Sequence, residues 1–170
     1  MKNFKYTFFA LAGIIIASCA TPPEFPIEPF IEFVSLSKDT MLNGTGSDDS
    51  VELVFSFTDG DGDIGFPQGD NPPKNILLIN RETGDTLLDK FTIPDIPNRG
   101  ASNGIKGEIT VVLLQQCCDF NPPAPGYFCG GNGSIAPVPF DTLNMDIVII
   151  DAAGHVSNRT QASPLILICD

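Results

Sequence analysis

Val51-Glu52-Leu53-Val54-Phe55-Ser56-Phe57-Thr58 runs without a break into Asp59-Gly60-Asp61-Gly62-Asp63-Ile64-Gly65. In the first half Val51, Leu53, Phe55 and Phe57 alternate with Glu52, Val54, Ser56 and Thr58, the period of two that sends successive side chains to opposite faces of a β-strand. One face of this strand therefore belongs to a core. The second half ends the strand, because glycine tolerates positive φ and aspartate caps its own backbone. Runs of the same β-branched and aromatic character recur at 30–36, 76–80, 86–93, 107–115, 143–151 and 164–168, separated by Gly, Pro, Asn and Asp clusters. With 51–58 they make seven predicted strands, and no stretch supports a long amphipathic helix. Seven short strands with turns between them predict an all-β, two-sheet sandwich.

Upstream of the first strand the chain changes character. Lys2 and Lys5 precede an unbroken apolar run from Phe8 to Ile16, and Ala17-Ser18 supply the small residues a signal peptidase needs. The apolar stretch from Phe8 to Ala20 falls short of the roughly 20 residues that span a bilayer, which favours a cleaved leader over a permanent transmembrane anchor. Ile16-Ala17-Ser18-Cys19 resembles the lipobox of bacterial lipoproteins, in which the cysteine takes a diacylglycerol and becomes the new N-terminus. The resemblance implies lipidation at Cys19 and removal of residues 1–18. Two or three acyl chains anchor stably, since each buried methylene contributes about 0.8 kcal/mol. Residues 19–29 contain Pro22, Pro23, Pro26 and Pro29, a composition that stiffens a tether to about 3.1 Å per residue. Residues 30–170 form the single expected domain.

All 21 acidic residues lie beyond residue 18, whereas two of the nine basic ones leave with the leader, so the mature chain carries a net charge of −14. Nucleic acid is excluded as a partner because its phosphates demand a basic footprint. Cys117, Cys118, Cys129 and Cys169 form an even set in an exported chain, which reads as two disulfides. No CxxC pair occurs and His155 is the sole histidine, so a zinc site is the poorer account of these cysteines.

The strongest chemical signal is Asp59, Asp61 and Asp63 spaced every second residue among glycines. Three carboxylates that can turn toward one point suit a hard, oxygen-seeking cation such as calcium, and a tight turn without any ion is the competing account. Counted from Asp59 the loop has Ile64 where an EF-hand has glycine, ends on Asp70 in place of Glu, and lacks flanking helices. It is not an EF-hand. The D-x-DGD stretch resembles loops of calcium-binding cadherin-like and related bacterial sandwich domains.

Asp151-Ala152-Ala153-Gly154-His155-Val156-Ser157-Asn158 resembles the DAAGNxS hairpin near the C-terminus of many bacterial immunoglobulin-like domains, with His155 replacing the usual Asn. Together with the lipobox, these motifs make the chain similar to small immunoglobulin-like, or fibronectin III-like, lipoproteins of Bacteroidota. That resemblance implies an outer-membrane address, with the periplasmic and the cell-surface face both open. Strand order A, B, C, C′, E, F, G then places the loops 59–75, 94–106 and 152–163 at one pole, bringing Asp151 to Asp59, Asp61 and Asp63. The loop 116–142 and Cys169 fall at the other pole, so Cys169 pairs with Cys117 or Cys118 and Cys129 takes the remaining one.

Catalysis finds little footing: no G-x-S-x-G elbow exists, and a turn histidine beside glycine is ordinarily solvated. Tyr127 and Phe128, on the Pro-rich stretch before Cys129, either dock a partner protein or fold back on the domain end. The expectation is a non-enzymatic binding or scaffolding lipoprotein, an accessory subunit beside an outer-membrane protein partner, with a structural calcium site. The alternative is a glycan- or nutrient-binding lipoprotein of an uptake system, although the mature chain has no Trp and only Tyr127 for sugar stacking.

Overall fold

The structure is a computed structural model that describes residues 24–43, 49–82, 84–96, 104–114 and 140–169. Among them there are ten strands and no helix: β1 (Phe30–Leu36), β2 (Thr40–Asn43), β3 (Ser50–Asp59), β4 (Ile76–Asn80), β5 (Thr86–Phe91), β6 (Ile105–Leu114), β7 (Phe140–Leu143), β8 (Met145–Ile149), β9 (Thr160–Gln161) and β10 (Leu165–Cys169). The chain is all-β. No helix among the described residues is long and apolar enough to cross a membrane. The strands form three sheets, ordered β1-β3-β6, β2-β10-β7 and β5-β4-β8-β9.

The count of seven strands is corrected to ten, and the three extra ones are short for a reason. β2, β7 and β9 contain four, four and two residues, too few for an alternating pattern to show. They exist because a distant strand pairs with them. β2 lies parallel to β10, Thr40 opposite Ile166 and Met41 opposite Leu167. A break at Asn144 separates Leu143, the last residue of β7, from the rest of the expected strand 143–151: β7 pairs with β10, whereas β8 pairs with β4 and β9.

β3 is the centre of its sheet and realises the alternation of its sequence. Val51, Leu53 and Phe55 are fully buried and Phe57 nearly so, while ten consecutive residues pair antiparallel with β6. β1 keeps its apolar side chains inward by a different device. Its register against β3 shifts between Phe33 and Ser35, so that Leu36, out of phase with Phe33 by sequence, still packs on the core. Met145, Ile147 and Ile149 of β8, Leu78 of β4, Leu165 and Leu167 of β10 and Met41 of β2 complete one shared core. All three sheets face it.

β8 is buried on both sides. Its second face carries Asp146, which Arg81 and Arg159 approach at 3.3 and 3.1 Å. Arg159 is about half exposed, so its pair adds at most about 1 kcal/mol. Arg159→Ala is therefore expected to lower stability by less than about 1 kcal/mol in urea unfolding.

Candidate metal centre

The alternation that buries Val51, Leu53, Phe55 and Phe57 continues one step further and buries Asp59, the last residue of β3. A carboxylate thus occupies a core-facing position, fully shielded from solvent. Ionised and alone there, it would be strongly unfavourable. The loop after it folds back because Ile64 is itself fully buried, pulling Asp61 and Asp63 around the end of the strand. Gly62 sits at φ 78°, where a side chain would be strained.

A second loop meets the first. Asp151 follows β8, lies buried, and is held by its own turn: the His155 amide donates to Oδ1 at 2.7 Å and His155 Nδ1 lies 2.8 Å from Oδ2. The Ala152 amide donates to the Asp63 carbonyl at 3.0 Å, which ties the two loops together. Asp59, Asp61, Asp63 and Asp151 consequently each present a carboxylate oxygen within 4.8 Å of all the others. Asp61 is exposed, Asp63 half-buried, and the other two buried. This cluster could hold a metal ion.

Its electrostatics are those of a site short of positive charge. Both oxygens of Asp59 and Oδ1 of Asp63 are buried without a hydrogen-bond partner. Burial pushes the Asp59 carboxyl up to about 6, reinforced by the charges of Asp61, Asp63 and Asp151, against a small opposing pull from the Asp63 amide. Burial likewise raises Asp63, and the Asp151 and Asp61 charges add to it. His155 is raised by its hydrogen bond to Asp151. An aspartate that merely caps a turn accepts backbone N–H groups, as Asp151 does. Asp59 accepts none.

Sequence reasoning missed the residue that sets the two loops in place. Asn75 is buried; its Nδ2 donates to the carbonyls of Ile64 and Ile150 at 2.9 and 3.0 Å, and its Oδ1 accepts the Ile93 amide at 2.8 Å. Ile64 follows Asp63 and Ile150 precedes Asp151, so one side chain clamps the backbone beside both ligand-bearing loops. In sequence an Asn two positions beyond Pro72-Pro73 reads only as a turn signal. Asn158 has a comparable role at the start of β1, where it accepts the Ile31 amide at 2.7 Å and donates to the Ile31 carbonyl at 2.9 Å. Asn158→Ala should cost about 1–2 kcal/mol in urea unfolding and leave cation binding at the aspartates intact.

Of the remaining site residues expected from sequence, only the backbone of Cys169 falls among the described residues. Cys19, Cys117, Cys118, Cys129, Tyr127 and Phe128 lie outside the described residues. Cys169 ends β10 opposite Asn43, one position beyond the Ile168–Phe140 pair, at the edge where residues 115–139 rejoin the described chain. No protein-family model, curated protein or solved structure matches the chain.

Proposed function

We propose that the chain is a lipid-anchored, non-enzymatic binding or scaffolding domain whose Asp59, Asp61, Asp63 and Asp151 pole holds a structural calcium ion. One observation carries the metal reading: Asp59 is a fully buried carboxylate with neither oxygen partnered, facing three other carboxylates. Calcium takes oxygen ligands at about 2.4 Å, so oxygens on opposite sides of it stand about 4.8 Å apart. Four carboxylate oxygens within 4.8 Å of one another can contribute to such a shell. Magnesium keeps several of its waters and is usually held by one or two carboxylates, so a set of four suits calcium better. Isothermal titration of the metal-free protein with calcium and with magnesium tests this, and calcium binding that Asp59→Asn abolishes is the expected outcome.

An immunoglobulin-like strand order is part of the same proposal. Lettering β1 as A, β2 as A′, β3 as B, β4 as C, β5 as C′, β6 as E, β7 with β8 as F, and β9 with β10 as G gives one layer A-B-E and a second layer C′-C-F-G, with A′ beside G. The DAAGHVSN hairpin then joins F to G, as its resemblance implies. A non-catalytic role is supported by the hydroxyl nearest the His155–Asp151 pair in sequence. Ser157 Oγ accepts the Ile149 amide at 3.0 Å and donates to the Asn158 carbonyl at 2.7 Å, so it is committed to the hairpin backbone.

Lipidation at Cys19, an outer-membrane address and an outer-membrane protein partner complete the proposal, and they rest on the lipobox resemblance. Extraction of the native envelope in mild detergent should co-purify that partner. A lipidated protein recovered alone, or one that binds sugars on a glycan array, would turn the reading toward ligand capture for uptake.

A further inference from the structure

We propose that the cation at the aspartate pole seats the N-terminal tether on the domain, so that the ion fixes the direction in which the chain leaves toward its anchor. The inference rests on the metal site proposed above and adds a consequence for residues 24–29. Gly60 stands between the ligands Asp59 and Asp61, and the tether backbone lies directly on it. A Cβ built there would fall 2.4 Å from the Phe25 carbonyl oxygen and 2.5 Å from that of Pro26. Further along, Ile31 is clamped by Asn158. The segment thus crosses both loops that supply the carboxylates.

Charge makes that seat dependent on the ion. Without it, four carboxylates repel one another across the loop that carries Gly60, and they repel Glu24 and Glu28 of the tether as well. A divalent ion halves the local negative charge and draws Asp59, Asp61 and Asp63 around one point. Gly60 is then held where Phe25 and Pro26 pack on it, with no room for even a methyl group between them. A contact this close has little tolerance: a loop opened by its own charges loses it.

The test is cleavage of the full lipidated chain, in mild detergent, by a glutamyl endopeptidase, with products followed by mass spectrometry. Calcium at about 100 times its dissociation constant should slow cutting after Glu24 by about tenfold or more relative to chelator, because cutting tracks the population of the open form. Cutting after Glu82, in the exposed turn beyond β4, serves as the reference and should not change. In Gly60→Ala, titration calorimetry should still detect calcium while the protection at Glu24 disappears. Calcium that binds wild type without slowing the Glu24 cut, or that slows Glu24 and Glu82 equally, overturns the tether inference and leaves the metal site standing. Absence of calcium binding overturns both.

Discussion

Calcium at 100 times its dissociation constant should add about 2.7 kcal/mol to the stability of the protein, an upward shift in melting temperature on the order of 8 °C for a domain of this size. Asp59→Asn is expected to abolish that shift and, against the usual direction of core substitutions, to raise the melting temperature of the calcium-free protein. The reason lies in what Asp59 does without an ion. It is fully buried at the inward end of β3, neither oxygen has a partner, and its neighbours are three more carboxylates. Asparagine of the same shape removes the buried charge and turns one oxygen into an N–H donor that faces Asp61, Asp63 and Asp151. Charge-assisted hydrogen bonds of that kind contribute about 1.5–3 kcal/mol. Asp61→Asn should lose calcium response with little gain in the calcium-free state, because Asp61 is already solvated. Differential scanning calorimetry of the three proteins, each with calcium and with chelator, gives six melting temperatures. If Asp59→Asn melts lower than wild type in chelator, the buried charge is not the liability described.

Much of this site was readable because its determinants are local. Asp59, Asp61 and Asp63 sit within five residues, and the alternation from Val51 to Phe57 continues in phase to Asp59. Extending that period by one step would have shown that Asp59 faces the core; Asp61, in the same phase, is exposed only because the strand ends at Asp59. Asp151 lies 92 positions after Asp59 and was reachable only through strand direction, which places the end of β3 and the end of β8 at the same pole. The features that escaped detection are specified from far away. Four residues at 40–43 become a strand because β10, more than 120 residues on, pairs with them in parallel. The break at Asn144 reflects a change of partner from β10 to β4, and no residue near 144 announces it. Asn75 reads as punctuation until three carbonyl and amide groups from separate loops converge on its side chain.

The dependence of stability on pH should reverse sign when calcium is added. In the calcium-free protein Asp59 has its carboxyl raised from 3.8 to about 6, so the folded state holds that proton more tightly than the unfolded chain does. Stability from this group is therefore full below about pH 4 and falls as pH rises through the window from about 4 to about 6, by roughly 3 kcal/mol in all. Asp63, raised by burial and by the Asp151 charge, acts in the same direction. His155, raised by its bond to Asp151, adds stability that is present below its ordinary value near 6.5 and disappears as pH climbs past its raised one. Asp49 opposes them only at lower pH. The Lys38 side chain holds it below 3.8, so its contribution is present above pH 4 and lost beneath it. With saturating calcium the ion competes with the Asp59 proton, and its stabilisation grows as the carboxyl ionises, over the same window in which the calcium-free protein weakens. Urea unfolding at pH 4.5, 5.5 and 7 should give a falling series in chelator and a rising one in calcium. In Asp59→Asn the slope between pH 4.5 and 5.5 should flatten under both conditions, which separates this carboxyl from Asp63 and His155. Two wild-type series that run parallel would mean that the proton and the ion do not share Asp59.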